Sequence, residues 1–245
     1  QVAVARLLCD ELGLKIPIGV STPGRDKASS GSIHYDLLRK YKRPLRASND
    51  GAGVDNLQDV VRDDTDFFVI GPETSIGQYL DKFPRKITRA TMQGGFLSYH
   101  LHELPCVRLP QFEGKTWVPT FNLNEDRPNG LSFLSADIAE RRMVGKNVCH
   151  TVLFDQEVYA RFTPKHPASR LFCEAADFYF QRHQNKKFHD PTAAVLHMHP
   201  EIGGWIRGKT TKMESGWGTR LDCDGDFICA SVDYDMIWEH LSNFS

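Results

Sequence analysis

The segment Asp66-Phe67-Phe68-Val69-Ile70-Gly71-Pro72 restricts the fold of this chain more than any other stretch. It is a nearly continuous apolar run closed by Gly-Pro, the pattern of a parallel strand buried on both faces. Gly71 to Ser75 then reads as a strand-to-helix turn and Ile76 to Phe83 as the helix that follows. Lys86 to Met92 reads as a second strand, closing in Gln93-Gly94-Gly95. This rhythm predicts an α/β fold of βαβ units, with a mostly parallel central sheet flanked by helices. Ligands of such sheets bind outside the carboxyl ends of the strands. The turns at 71–75 and 93–95 are therefore expected to face one crevice.

The remaining segments fit the same class. Gln1 to Leu12 is an amphipathic helix ended by Gly13, and Lys15 to Val20 is a short β-type run. Ser21 to Ser32, rich in Gly, Ser and Pro, is a loop. Asn49 to Gly53 is a Gly-rich turn. Phe121 to Asp126 reads as a polar loop, Asn129 to Ala139 as helical, Arg142 to Val148 as a strand. Asp155 to Phe162 and Ser169 to Arg182 read as helices. Near the end, Thr219 to Asp222 and Phe227 to Val232 are β-type runs joined by a turn at Asp224-Gly225, before a helix from Tyr234 to Leu241. No repeat or dividing linker interrupts residues 1–245, which predicts a single domain. The start at Gln1, already inside a helical pattern and without a cap, reads as cut or processed.

Charge and cysteine usage exclude some functions. The formal net charge is −1, so no global field recruits nucleic acid or an anionic membrane. The basic run Arg39-Lys40-Tyr41-Lys42-Arg43 reads as a solvated helix end or loop. Six cysteines include no C-x-x-C pair, which points to free, buried thiols in a reducing, cytoplasmic setting. No apolar run reaches the length of a membrane span, and no signal-peptide pattern is present.

Chemistry is expected in Lys187-Phe188-His189-Asp190-Pro191-Thr192. Pro191 suits the first turn of a helix, which makes Asp190 the N-cap and His189 the residue before it. Asp190 there either only caps or ligates a hard cation. His189 either fills a loop or delivers a proton to a leaving group. His197 and His199 read as surface residues and His150 as a satisfied core or loop histidine. Trp217 packs near the end of the chain or stacks over a pocket. Asp222-Cys223-Asp224-Gly225-Asp226 reads as a plain acidic turn.

Several pieces, in order along nearly the whole chain, resemble the inosine–uridine type of nucleoside hydrolase. Val69-Ile70-Gly71-Pro72-Glu73-Thr74-Ser75 resembles the family's GPLTN turn, and Met92-Gln93-Gly94-Gly95 its MGG strand end. Thr120-Phe121-Asn122 resembles EFN, Met143-Val144-Gly145 through His150 the strand that follows, and His189-Asp190-Pro191 the HDP motif. Asn49 to Gly53 resembles the family's flap. The resemblance implies a Rossmann-like fold and hydrolysis of the N-glycosidic bond of a ribonucleoside by a Ca²⁺-activated water. It also implies a homo-oligomer or a partner chain that completes the sheet.

By the same resemblance, Asp190 ligates calcium and touches the ribose, and Thr74 gives calcium its main-chain carbonyl. Asn122 bonds the ribose hydroxyls, Gln93 and Thr120 line the substrate, and His189 protonates or orients the leaving base. The chain departs from the pattern at Glu73, Ser75, Gln93, Gly114 and Thr120. The family's D-x-D-x-x-x-D-D segment has no counterpart in these residues. These departures support a second reading, a non-catalytic subunit or scaffold of the same fold.

Overall fold

The computed structural model describes residues 1–21, 33–99 and 106–243, and these form two compact units. The first begins with three helices, α1 (Val2–Leu12), α2 (Ile33–Lys40) and α3 (Gly53–Val60). Gly13 ends α1 in the left-handed conformation at φ 65°, which glycine adopts without a Cβ penalty. The second unit follows with β1 (Asp66–Val69), α4 (Thr74–Lys82), β2 (Ile87–Gln93), α5 (Phe121–Glu125), α6 (Arg127–Ser135), β3 (Ile138–Val144) and α7 (Lys146–Cys149). The chain then returns to the first unit through β4 (Leu153–Asp155), α8 (Gln156–Tyr159), α9 (Pro167–Phe180) and β5 (Asn185–Lys187). It closes with α10 (His189–Met198), β6 (Gly203–Lys212), β7 (Trp217–Leu221), β8 (Asp226–Val232) and α11 (Tyr234–Asn243).

In the first unit, β4 and β5 form a two-stranded sheet. Ala3 and Leu7 of α1 and Leu37 and Leu38 of α2 bury one apolar cluster against Ala175 and Phe178 of α9. In the second unit, six strands run in the order β1-β2-β3-β8-β6-β7. The pairs β1–β2, β2–β3 and β3–β8 are parallel. Only β6 runs against its neighbours. Ala90, Met92, Met143, Val144, Phe133 and Leu123 are fully buried in this unit. Burying each of the larger ones stabilises by roughly 1.5–3 kcal/mol.

The mixed, mostly parallel sheet predicted from 66–95 is present, with local differences. β1 is an edge strand among the described residues, so its apolar run is not covered throughout. Phe67 and Val69 are buried, Phe68 is half-buried and Ile70 is exposed. Residues 15–20 form no strand, only an isolated bridge from Val20 to Ala52. Residues 22–32 of the expected loop lie outside the described residues. Residues 121–125 are helical rather than a loop, and Leu123 turns into the core.

Helix α6 starts earlier than expected. Asp126 caps it and Pro128 sits in its first turn, where proline's missing N–H costs nothing. Residues 146–149 turn into α7 instead of prolonging β3. The two β-type runs near the end are not hairpin partners. β6 lies between them and pairs with both. Its glycines at 203, 204 and 208 and its charges hide it from apolar pattern reading.

Candidate functional site

The parallel strands β1, β2 and β3 end in the turns that carry the motifs: 70–73 after β1, 94–95 after β2, and 145 leading into α7 after β3. Gly95 takes φ 81°, and its carbonyl accepts from Lys146 N–H at 3.0 Å. A side chain there would be strained, so this glycine lets the second turn lie against the third.

The 188–190 loop is pinned to the same place by its backbone. Phe188 is buried, its N–H donates to Val152 O at 2.9 Å, and its ring packs on Trp238 at 5.6 Å. Thr192 donates its hydroxyl back to Phe188 O. The helix begins one residue earlier than the motif suggested. Phe188 is the N-cap of α10, while His189 and Asp190 occupy its first turn. Asp190 therefore does not cap this helix by its side chain. It is exposed, and His189 is half-buried.

A line of hydrogen bonds joins the motifs. Asn122 donates from Nδ2 to Gln93 O at 2.8 Å and to Gln93 Oε1 at 3.0 Å. Gln93 Nε2 donates to Cys149 Sγ at 3.8 Å. Cys149 in turn donates its thiol proton to His189 O at 3.7 Å. With both Nδ2 bonds directed at Gln93, the Asn122 amide has its oxygen left to receive a ligand hydroxyl. Cys149 is fully buried. Burial pushes its thiol up to about 12, and the Asp190 carboxylate adds to the rise. Cys149 is thus a neutral hydrogen-bonding floor, not a thiolate nucleophile.

Two imidazoles stand above that floor. The rings of His150 and His189 meet edge-on at 5.2 Å, and Phe112 stacks obliquely on His150 at 5.1 Å. Burial lowers the His150 pKa to about 3, and the positive charges of Lys187, His189 and Lys146 lower it further. His150 is therefore a neutral ring at physiological pH. Its Nδ1 is buried without a hydrogen-bond partner, so it is not the satisfied histidine that its sequence context suggested.

Thr120, buried beside Asn122, also keeps an unpartnered hydroxyl, while its N–H donates to Asn124 Oδ1 at 3.0 Å. Thr74 belongs to a second group. Its hydroxyl donates to Asp126 Oδ2 at 2.5 Å, and Asn129 Nδ2 donates to the same oxygen at 2.9 Å. Next to them Glu73 is fully buried with neither carboxyl oxygen hydrogen-bonded. Burial, aided by the charge of Asp126, raises its pKa to about 8.

Of the residues singled out from sequence, Gln93, Asn122 and His189 are thus joined directly or through Cys149. Asp190 acts on that thiol electrostatically, and Thr120 caps the helix that carries Asn122. The Thr74 side chain is directed at Asp126. His197 is not a surface residue. Its Nδ1 lies 2.9 Å from Thr91 Oγ1 and its ring stacks on Phe68 at 5.2 Å, which docks α10 on the sheet. Trp217 is wholly buried and open to no pocket. Cys149, Lys146 and Glu73 were missed from sequence. The signal for Glu73 was a lone charge in the turn after an apolar strand.

No family model matches the chain. An uncharacterized protein of Aquifex aeolicus (strain VF5) is 22% identical over 211 residues, covering 82% of this chain and 68% of that protein. Among solved structures, the plant nucleoside hydrolase PpNRh1 superposes with a TM-score of 0.71 at 15% identity, over 99% of this chain and 84% of that one. The chain has the nucleoside hydrolase fold. The inosine-uridine preferring nucleoside hydrolase of Bacillus anthracis agrees at a TM-score of 0.65 and 14% identity, over 99% of this chain and 84% of its own. The purine-preferring ribonucleoside hydrolase of Gardnerella vaginalis gives 0.59 at 15% identity, over 82% of this chain and 67% of its own. In this nucleoside hydrolase fold the bonded line from Asn122 to His189 spans the carboxyl ends of β2 and β3.

Proposed function

We propose that the chain is a nucleoside N-ribohydrolase, with its 245 residues acting as one hydrolase domain. The hydrogen-bond line Asn122–Gln93–Cys149–His189 carries this reading. It joins three separate motif-bearing turns at the end of the sheet where ligands of such folds bind. The Asn122 amide oxygen and the free Thr120 hydroxyl receive the ribose hydroxyls, with Gln93 holding Asn122 in place. The C1′–N bond breaks with its electron pair going to the base nitrogen, and a water oxygen bonds to C1′. Asp190, the exposed carboxylate of the site, takes one proton from that water, and His189 hands one proton to the departing base. Neutral His150 packs against the His189 ring and holds its orientation.

The resemblance assigns the activation of water to Ca²⁺, bound by Asp190 and the Thr74 carbonyl. The donors present do not complete that site. Calcium takes about six to eight oxygens, and these two residues offer a carboxylate and one carbonyl. The neighbouring Asp126 carboxylate is already taken by Thr74 and Asn129. A group of three side-chain ligands within 4.8 Å of one another occurs instead at Asp222, Cys223 and Asp224, in the turn between β7 and β8. No step above runs through the ion.

An assay for free base and reducing sugar, with purine and pyrimidine nucleosides and calcium in the buffer, tests the reading. Release of both in equal amounts supports it, and release from none of the nucleosides refutes it. The incomplete donor set and Thr120 favour the second reading, a non-catalytic subunit of the same fold. On either reading, the backbone groups on the open side of β1 suit pairing with a partner chain or a second copy. Unpaired cysteines, four of them buried, suit the cytoplasm. Among the described residues no helix is long and apolar enough to cross a membrane.

A further inference from the structure

Basic side chains gather around the two imidazoles. Lys146 opens α7 directly after the third turn, half-buried, and donates from Nζ to Pro119 O at 2.9 Å, one residue before Thr120. Lys187 stands two residues before His189 and is exposed. Lys115 is also exposed, and its N–H donates to Phe112 O at 3.0 Å, the residue whose ring stacks on His150. Three ammonium groups from three separate segments thus surround His150 and His189. The field of Lys187 and Lys115 reinforces burial in lowering the Lys146 pKa, and Lys187 and Lys146 act the same way on His150. None of the three lysines has a carboxylate partner among the described residues.

Like charges held this close repel one another unless an anion is shared among them. The same field opposes a dication and favours a small, highly charged anion. The chain's net charge of −1 offers no broader field for a polyanion. If Asn122 and Thr120 take the 2′ and 3′ hydroxyls, the ribose position left for such an anion is C5′.

We propose that Lys115, Lys146 and Lys187 receive the 5′-phosphoryl group of the substrate, so that the preferred substrates are nucleoside 5′-monophosphates rather than nucleosides. This rests on the ribohydrolase reading for the chemistry, but the anion site stands on the lysines alone. The C1′–N bond is the one broken, water adds to C1′, and the products are free base and ribose 5-phosphate. The phosphate ester itself is untouched.

The test uses the full chain with adenosine, 5′-AMP, uridine and 5′-UMP as substrates. Calorimetry with ribose 5-phosphate, ribose and inorganic phosphate provides a readout independent of turnover. The monophosphates are expected to exceed the nucleosides by at least about tenfold in kcat/KM, about 1.4 kcal/mol at the transition state. That advantage should shrink as salt is raised. The exposed pair Lys115→Ala/Lys187→Ala, which leaves the core intact, should remove most of it while sparing nucleoside hydrolysis. Nucleosides hydrolysed as fast as their monophosphates would overturn the proposal and leave the ribohydrolase reading standing. Ribose 5-phosphate bound well above ribose, with no substrate hydrolysed, would support the anion site and refute the catalysis. Inorganic phosphate bound as tightly as ribose 5-phosphate, with no monophosphate preference, would reduce the cluster to an adventitious anion site and overturn the proposal.

Discussion

Glu73→Gln should stabilise this protein, and increasingly so as pH rises. The native carboxyl is fully buried, lacks a hydrogen-bond partner and lies near Asp126. Its pKa stands at about 8, against an ordinary value of 4.5. In the unfolded chain Glu73 loses its proton above its ordinary pKa, whereas in the fold it keeps that proton until its raised one. The folded state therefore binds more protons across this window, and stability falls as pH rises through it. At about 1.4 kcal/mol per pH unit, the loss is about 3 kcal/mol by pH 7 and about 5 kcal/mol beyond the folded pKa. Glutamine keeps the shape and does not ionise. It leaves the same buried polar atoms unpaired as the neutral acid does, so that cost cancels in the comparison. Urea unfolding of both proteins across this pH range, followed by circular dichroism, measures the difference. Two stability curves that stay parallel from mildly acid to mildly alkaline pH would show that Glu73 is ionised and solvated in the fold.

Four further outcomes follow from the geometry. Asp190→Asn and His189→Ala should each lower base release by about 10²–10⁴-fold with little change in unfolding midpoint; an unaltered rate would remove that residue from the chemistry. Arg141→Met should destabilise by about 3–5 kcal/mol. It would strand the Asp226 carboxylate, now bonded at 2.7 Å, and free the carbonyls of Phe133 and Ala136; an unmoved urea midpoint would show that the pair is not buried in solution. His150 ring resonances should stay flat from about pH 5 to 9, because its pKa lies near 3, and a titration step near neutrality would contradict the charged surroundings described. Calorimetric titration with calcium should give a dissociation constant no tighter than about 0.1 mM, as at sites with few charged ligands; micromolar binding would reveal donors beyond Asp190 and Thr74.

Local sequence determined some of this structure well. The β1–α4–β2 unit was legible because apolar runs and Gly-Pro punctuation act over a few residues. Gly13 likewise marked the end of α1. β6 was not legible, because its place between β7 and β8 is fixed by pairing with strands outside its own segment. The start of α10 was misread by one residue. Asp before Pro is a strong local cap signal, but Phe188, held in the core by Val152 and Trp238, sets the boundary instead. Motif residues Gln93, Asn122 and His189 were readable through resemblance. The thiol that connects them was not, because nothing in Val148-Cys149-His150 tells that the sulfur lies beneath a carbonyl forty residues away.

The burial of Cys149 also decides how the protein meets electrophiles. A thiol held protonated near pKa 12 and closed off from solvent offers almost no thiolate to maleimides, iodoacetamide or peroxide. Cys223, exposed in the turn before β8, offers these reagents an open target. A fluorophore should attach there in the folded protein, and alkylation of Cys149 should begin only when the sheet comes apart. The two cysteines thereby form a built-in pair of markers, one for surface and one for unfolding.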